Sequence, residues 1–254
     1  TAAPVLSGRD LSLRRANGSV AVEGVSFDLH PGEILAVAGV DGNGQSELMQ
    51  VLAGLERPAM GHVRAAGLES DDAGAWTVGA LRRAGVAHVP DDRRHQGIAE
   101  ALSLTDNMVL SHITGDRFRR GPLLDRARAR AETETAIADY AIRTRGPSQA
   151  IGRLSGGNQQ KLVLARELLD APRIVLASHP SRGLDVRTIA AVQDRLRAAR
   201  SRGAGVLLVS ADMGEILRLA DRVMVFAGGT CRGPVPAGAT DAAQLGHWMT
   251  GRAA

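Results

Sequence analysis

A continuous apolar run over residues 33–39 is followed at once by a glycine-rich segment and then by a helical pattern over residues 46–53. Apolar residues at successive positions are typical of a strand that is covered on both faces of a sheet. The chain has further runs of this type, mostly preceded or separated by helical patterns, at residues 86–89, 174–177, 206–209 and 223–226. This alternation predicts an α/β fold with a largely parallel sheet.

Three other segments have different patterns. Residues 1–30 alternate apolar and polar positions in short pieces and end at Pro31-Gly32, which predicts an antiparallel sheet closed by a turn. From Asp91 to Arg153 amphipathic helical patterns dominate and no strand is expected, and one helix is predicted over residues 125–140. We therefore expect one folded unit with a core of residues 1–90 and 154–235, a helical lobe of residues 91–153, and a C-terminal segment, 236–254, with a helix over 241–249.

Length and cysteine content limit the class of protein. A chain of 254 residues with 44% hydrophobic content can bury one sizeable core. No stretch approaches the roughly 18 apolar residues of a membrane helix, and no export signal is visible. Cys231 is the only cysteine, which excludes an internal disulfide and fits a reducing compartment. The start at Thr1 predicts a processed chain or a fragment of a longer one.

The net charge of +4 comes almost wholly from arginine, because Lys161 is the only lysine. A basic chain can bind nucleic acid, or it can reflect the arginine bias of an alanine- and glycine-rich genome. Acidic residues are interleaved with the arginines nearly everywhere, and the one dense basic cluster, residues 117–130, is short. We therefore expect no nucleic-acid partner.

The segment after the first apolar run has the spacing of a phosphate-binding loop. Residues 39–46, GVDGNGQS, fit the P-loop pattern G-x-x-x-x-G-K-[ST] at every fixed position but one, and they lie between a predicted strand and a predicted helix. Glycines let backbone N–H groups converge on phosphate oxygens, and a serine hydroxyl can bind Mg²⁺. The residues predicted to contact the nucleotide are Gly39, Val40, Asp41, Gly42, Asn43, Gly44, Gln45, Ser46 and Glu47.

The one departure from the pattern is the lysine that reaches the terminal phosphates. Gln45, which is neutral and shorter, stands at that position, and Lys161 is far along the chain. Taken alone, the segment could also be a glycine-rich turn that binds nothing. A second segment weighs against this alternative, because Ser155 precedes tandem glycines at the start of a predicted helix. Ser155 is the expected N-cap, and such a helix N-terminus can also approach phosphate.

The order of these two segments resembles that of ATP-binding-cassette (ABC) domains, over nearly the whole chain. LSGGNQQK at 154–161, GVDGNGQSE at 39–47 and HPSRGLDV at 179–186 are similar to the second cassette of tandem importer ATPases for simple sugars and nucleosides. The segments 85–93, 116–118 and 209–212 are more similar to the nucleoside branch. The resemblance implies a P-loop NTPase of ABC type with an antiparallel β subdomain and an inserted helical lobe.

The resemblance also implies roles for residues of the catalytic machinery. Ser178 and His179 occupy the Walker B positions where the family has an Asp that orients Mg²⁺ and a Glu that polarises water. Ala211 stands where a switch His contacts the terminal phosphate, and Asp91 stands at the Q-loop Gln. Asp185 belongs to an intact D-loop. His179 could act as a base, but we expect it to line the site.

These substitutions predict a degenerate site. Besides Phe27, which the pattern places inside a strand, no aromatic residue upstream of the P-loop is available to stack on adenine. The expected cofactors are ATP and Mg²⁺, with Ser46 and Asp91 as the candidate metal ligands. Since a cassette dimer sandwiches ATP between one P-loop and the opposite signature, this chain should donate its signature in trans. The signature residues are Leu154, Ser155, Gly156, Gly157, Asn158 and Gln159.

The expected partners are a second cassette, as the N-terminal half of the same polypeptide, and membrane permease subunits contacted by the helical lobe. The chain would then lie at the cytoplasmic face of the membrane. A regulatory or structural nucleotide-binding module would also permit the lost catalytic groups. Chromosome-handling and translation ABC ATPases are a further alternative, but they normally keep the P-loop lysine, and the former carry long coiled-coil insertions absent here.

Overall fold

The computed structural model describes residues 2–72, 74–113 and 115–250. The strands β1 to β12 are, in chain order, Leu6–Arg14, Val20–Leu29, Ile34–Ala38, Met60–Ala65, Leu68–Glu69, Val86–Val89, Arg119–Arg120, Leu123–Leu124, Ile174–Ser178, Gly205–Ser210, Arg222–Ala227 and Thr230–Pro236. The helices α1 to α8 are Gln45–Leu52, Val78–Arg83, Leu104–Val109, Arg126–Asp139, Gly156–Glu167, Val186–Ser201, Met213–Leu219 and Ala242–Met249.

The chain forms two compact units. The first consists of the described residues of Thr1–His88, Ala171–His179 and Leu196–Ala254, and the second of those of Val89–Asp170 and Pro180–Arg195.

The first unit contains most of a six-stranded sheet with the order β12-β11-β3-β10-β9-β6. Strand β3 pairs in parallel with β10 and β11, and β10 pairs in parallel with β9. The predicted parallel sheet is therefore confirmed. Strand β12 is antiparallel to β11 because a tight turn joins them, in which Gly228 and Gly229 have φ of 57° and 81°.

Both faces of β3 are covered, as its uninterrupted apolar sequence predicts. Leu35 and Val37 belong to the large core of the first unit, whereas Ala36 and Ala38 pack in a second cluster with residues of α7, α8 and β11. All five residues of the strand are buried. Successive side chains of a strand point to opposite faces, so a doubly covered strand has no polar position.

A four-stranded antiparallel sheet has the order β2-β1-β4-β5, and buried residues of β1, β2 and β4 contribute to the large core. The antiparallel pairing of residues 1–30 is confirmed, but Pro31-Gly32 leads from β2 to β3 in the other sheet and does not close this one. Strands β4 and β5 were not predicted from the sequence. They are short and are joined at Ala66 and Gly67, whose φ values of 49° and 89° form a tight turn without an Asn-Gly signal.

The second unit is mainly helical, as predicted for the lobe. The helix expected over residues 125–140 is α4, and its N-cap Asp125 accepts a 2.9 Å hydrogen bond from the backbone N–H of Arg128. The expectation that this region contains no strand was wrong, because β7 and β8 form a two-residue hairpin. Gly121, with φ of 64°, lies in the turn of this hairpin. Each of its strands has only two residues, which are too few to show the alternation of apolar and polar residues that predicts a strand.

Helix α5 groups with the helical residues, although the sequence placed residues 154–235 in the ATP-binding core. Buried polar contacts near its C-terminal end explain this grouping. The Ser111 hydroxyl donates a 2.5 Å hydrogen bond to Glu167, and the Arg166 guanidinium donates a 3.3 Å bond to the Asn107 carbonyl. Arg166 and Glu167, neighbours on α5, also form an ion pair of 2.9 Å with side-chain exposures of 5% and 0%. It is the contacts of these two side chains with Ser111 and Asn107 that attach α5 to the lobe. The functional domain boundaries stay a prediction.

The predicted C-terminal helix is confirmed as α8. Asp241 caps it by accepting a 2.8 Å hydrogen bond from the Gln244 backbone N–H, and Leu245 and Met249 pack in the second core cluster. Residues 251–254 of the predicted C-terminal segment lie outside the described residues. Among the helices that the structure describes, none has the length and hydropathy needed to cross a membrane.

Strand β12 carries the only cysteine, and this gives a clean test of the packing. Burial raises the pKa of the Cys231 thiol from 9.0 to about 11. Because the thiolate is the reactive form, unfolding should accelerate alkylation by iodoacetamide at pH 8 about 100-fold. The rates in buffer and in urea can be compared by mass spectrometry. Equal rates would contradict the burial of this thiol.

Candidate functional site

The loop of residues 39–46 lies between β3 and α1, where the P-loop pattern requires it. Gly42 and Gly44 have φ of 88° and 107°, a conformation that favours glycine. A Cβ added to Gly42 would meet nothing within 4 Å, whereas one added to Gly44 would lie 3.0 Å from Val22. The outer side of the loop at Gly42 is therefore open, and the inner side at Gly44 rests on β2.

The side chain of Gln45, at the position of the phosphate-binding lysine, is directed to the backbone of its own loop. Its side chain is 4% exposed, and its amide Nε2 donates a 3.2 Å hydrogen bond to the carbonyl of Val40 in the same loop. A Cβ on Gly39 would lie 2.2 Å from that nitrogen. The amide fills the space beside Gly39, and one of its two N–H donors is used by the loop's own backbone.

Two polar residues follow at the start of α1. Ser46 is exposed in the first turn, and Glu47 is partly buried. The Ser46 hydroxyl is the ligand that this loop offers to Mg²⁺, which binds proteins through few ligands and keeps phosphate oxygens and waters. No cluster of three or more His, Cys, Asp or Glu side chains able to hold a metal occurs among residues 2–72, 74–113 and 115–250. Ser46 and Asp91 therefore stay predicted Mg²⁺ ligands.

Parallel pairing aligns the strand ends around this loop. Ala38 at the end of β3 pairs with Ser210, and Val209 pairs with Ser178 at the end of β9. Ser178 is buried, with 6% exposure. Because the carboxyl ends of parallel strands share one edge of a sheet, the predicted Walker B and switch residues lie at the same edge as the loop.

His179 begins the segment after β9 in a left-handed conformation, with φ of 42°. Its backbone N–H donates a 2.8 Å hydrogen bond to the Val209 carbonyl, which holds this conformation. Its Nε2 lies 3.9 Å from Oδ1 of Asp41 in the phosphate loop. The imidazole is 13% exposed and faces the loop, so it lines the candidate site.

The switch segment is held by hydrogen bonds that bypass Ala211. The Ser210 hydroxyl donates a 2.8 Å bond to the buried carboxylate of Glu215, and Asp212 caps α7 by accepting from the Glu215 backbone N–H. Ala211 is exposed between them and offers only a methyl group. The segment therefore provides no side-chain donor at the predicted switch position.

The signature opens helix α5 of the second unit. Ser155 is at the N-cap position, as predicted, but its side chain makes no capping bond and instead accepts a 2.9 Å hydrogen bond from the Asn158 amide. Asn158 also accepts a 2.9 Å bond from the backbone N–H of Arg143. The side chains of Leu154 and Gln159 are buried. The first backbone N–H groups of a helix have no intrahelical partner, so this N-terminus is free to receive an anion.

A cavity of about 390 Å³ lies at this helix N-terminus. Its wall has three cationic side chains and one carboxylate, together with signature residues and small groups. The lining residues are Ala141, Arg143, Ser155, Gly157, Asn158, Lys161, Asp185, Arg187 and Thr188. The hydroxyl and backbone N–H of Thr188 lower the pKa of Asp185, which keeps this D-loop carboxylate ionised and tied to its own turn. The cavity thus has an excess of positive charge.

Asp91, the predicted Q-loop residue, is exposed in the second unit. Its Oδ2 lies 3.4 Å from the guanidinium of Arg182 in the same unit. Asp92, next to it, caps the short helical turn Arg93–Gly97. The Arg93 guanidinium packs over Gly156, since a Cβ there would lie 2.3 Å from its Nη2. The signature thus has a further cation against it, which sequence reasoning missed.

The P-loop geometry and the signature helix agree with what the comparisons with known families show. The family model described as ABC transporter matches residues 22–182. The chain belongs to the ABC transporter family. The cassette is 34% identical over 247 residues to the nucleoside import ATP-binding protein NupA of Lactococcus lactis subsp. cremoris, which covers 97% of this chain and 48% of that protein. It is 36% identical over 250 residues to the glucose import ATP-binding protein TsgD13 of Haloferax volcanii, with coverages of 98% and 45%.

Solved structures confirm the fold of the cassette. The dimeric post-hydrolysis structure of the ATP-binding cassette MJ0796 with ADP and Pi superposes with a TM-score of 0.78 at 20% identity, and covers 91% of this chain and 98% of that one. The resemblance to sugar and nucleoside import ATP-binding proteins is likewise confirmed. The cassette spans less than half the length of these two relatives.

Sequence reasoning also missed Arg15, in the connection between β1 and β2. Its guanidinium donates a 2.7 Å hydrogen bond to the Val20 carbonyl and a 2.9 Å bond to the Gly42 carbonyl of the phosphate loop. No motif marks this arginine, because its approach to the loop depends on the fold of the β1–β2 connection. Phe27, as predicted, is buried within β2.

The uncapped N-terminus of α5 gives a prediction about stability. We expect Ser155→Ala to change the free energy of unfolding by less than about 0.5 kcal/mol, because no capping bond is lost. Ser103→Ala is the matched control, since the Ser103 hydroxyl accepts a 3.0 Å bond from the Asp106 backbone N–H at the start of α3. That variant should lose about 1 kcal/mol. Urea denaturation measures both, and a larger loss for Ser155→Ala would contradict the uncapped geometry.

Proposed function

We propose that this cassette is the ATP-binding part of an importer for nucleosides or simple sugars, and that its two phosphate-binding segments have unequal tasks. Its own P-loop binds Mg-ATP with negligible hydrolysis. Its signature completes the ATP site of a partner cassette. The observation that carries the proposal is the contrast between the cationic cavity at the N-terminus of α5 and the P-loop, where a neutral amide replaces the lysine.

Several groups that hydrolysis requires are absent from the cassette's own site. Gln45 brings no charge, Ser178 and His179 bring no carboxylate, and Ala211 brings no side-chain donor. Phosphoryl transfer depends on positioning and charge stabilisation, and loss of one electrostatic group costs roughly 10²- to 10³-fold in rate. Such losses do not simply add, but several together leave negligible turnover. Ser46 would hold Mg²⁺ together with the phosphates of the bound nucleotide, where the ion neutralises charge.

The signature half supplies what a partner's nucleotide needs. Free backbone N–H groups at Gly156 and Gly157 and the hydroxyl of Ser155 can donate to terminal phosphate oxygens. Lys161 donates a 3.0 Å hydrogen bond from Nζ to the Ala141 carbonyl, which holds its ammonium group at the cavity. Positive charge at the N-terminus of a twelve-residue helix favours a polyphosphate there.

The length of the relatives supports the proposed partners of the cassette. Because NupA and TsgD13 are about twice as long as this chain, the second cassette is proposed to be the N-terminal half of the same polypeptide. The helical lobe would contact a permease at the cytoplasmic face of the membrane. Identities of 34% to a nucleoside import protein and 36% to a glucose import protein leave the two substrate classes equal, and the nucleoside branch stays a prediction.

The test uses the chain assembled with its partner cassette, with ATP hydrolysis measured by phosphate release. Ser155→Ala should lower the rate of the assembly by about 100-fold or more, because it removes a donor from the partner's site. Ser103→Ala, the control on the same unit, should leave the rate unchanged when measured below its unfolding transition.

Three outcomes would contradict the proposal. Turnover by the purified chain alone would show that its own site is catalytic. An unchanged rate for the Ser155→Ala assembly would exclude donation of the signature. Failure of permease subunits to copurify with the assembled cassettes would favour a regulatory or structural nucleotide-binding module.

A further inference from the structure

Arg15 lies in a tight connection that brings it beside the phosphate loop. Its backbone N–H donates a 2.8 Å hydrogen bond to the Ser19 carbonyl, and its own carbonyl accepts a 2.8 Å bond from Gly18. These bonds close the turn between β1 and β2 and fix the Cα position of Arg15. The side chain then reaches Val20 and Gly42, 5 and 27 residues away in sequence. Two bonds to rigid backbone carbonyls hold the guanidinium in one place.

The guanidinium of Arg15 is held against the loop without being neutralised. It forms no ion pair within the part of the chain that the structure describes, so its full charge remains. A guanidinium has five N–H donors, of which the two carbonyls use two. Three donors and one positive charge are therefore left at Gly42, on the open side of the loop.

A nucleotide bound at the loop would need a positive charge that the loop itself does not contain. Asp41 contributes a negative charge and Gln45 none, while a bound nucleotide brings several more negative charges. Backbone N–H groups and the dipole of α1 offset part of this charge but carry no full positive charge. Arginine is well suited to offset the remaining negative charge, because its planar guanidinium matches the geometry of phosphate oxygens.

We propose that Arg15 supplies the cation that Gln45 cannot, and that its guanidinium binds the phosphate chain of the nucleotide held by residues 39–46. The inference rests on the proposed binding of Mg-ATP at this loop. Arg15 would make such binding feasible without the lysine. Its side chain reaches the loop from the connection between β1 and β2, whereas the lysine of the P-loop pattern would reach it from the start of α1.

Titration calorimetry with Mg-ATP on the 254-residue chain tests the inference. Arg15→Met removes the charge and keeps most of the length, and it should raise the Kd about 10-fold, as expected for a partly exposed charge-assisted hydrogen bond. Arg15→Lys should recover part of the affinity. The loss should shrink as ionic strength rises.

Arg14→Met is the matched control. Arg14 belongs to the same hairpin and donates a 2.9 Å hydrogen bond to the Gly18 carbonyl, so its replacement perturbs the turn but not the loop of residues 39–46. Its Kd for Mg-ATP should equal that of the unaltered chain. Thermal denaturation of all variants shows whether any of them is unfolded.

Inorganic tripolyphosphate, used as a competitor of ATP, separates phosphate contact from base contact. It should displace ATP from the unaltered chain, and its inhibition constant, corrected for the ATP Kd of each variant, should be about 10-fold higher for Arg15→Met. Weakened ATP binding with unchanged tripolyphosphate binding would overturn the phosphate role in favour of the base. Failure of tripolyphosphate to displace ATP from the unaltered chain would equally overturn it.

The affinities of Arg15→Met and of the unaltered chain distinguish the role of Arg15 from nucleotide binding at the loop. Equal ATP affinity for Arg15→Met and the unaltered chain would overturn the role of Arg15 and leave nucleotide binding at the loop intact. No ATP binding by the unaltered, folded chain would overturn both, and the cassette would then act through its signature alone.

Discussion

The parallel register of β3, β10 and β9 is the constraint on which the candidate site depends. Ala38 pairs with Ser210 and Val209 pairs with Ser178, so three chain segments leave the sheet at one edge. Apolar side chains on both faces of β3 fix this register, since a shift would move the whole strand against two cores. The phosphate loop, His179 and Ala211 are neighbours for this reason, whatever chemistry their side chains retain.

The structure shows the frame of the site, whereas the loss of its chemistry is part of the proposed function. The loop keeps its left-handed glycines and its place before α1, while Gln45 turns its amide to the Val40 carbonyl. A scaffold that binds phosphate through backbone N–H groups does not need a particular side chain to form. The proposed loss of catalytic groups is thus compatible with the observed fold. In the second unit, Arg93 packs over Gly156, and Arg143, Lys161 and Arg187 line the cavity at the predicted signature.

Much of the fold could be predicted, because apolar runs and helix caps are local signals. The strands of the parallel sheet, α4 with its cap Asp125, and α8 were found in this way. Strands β4 and β5 and the hairpin β7–β8 were not, since they are short and owe their place to pairing partners and turns. In the site, motif positions were readable from spacing. The approach of Arg15 to Gly42 was not, because it depends on side-chain direction across 27 residues.

Lys161, the only lysine, lines the signature cavity and is partly exposed there. An ammonium group at such a place gives the molecule a natural chemical reporter. Amine-selective acylation of side chains has a single target in this sequence, and that target lies on the surface a partner's nucleotide would cover. Under the proposed pairing, the extent of acylation would report how much of the time another cassette covers the signature, without any engineered label.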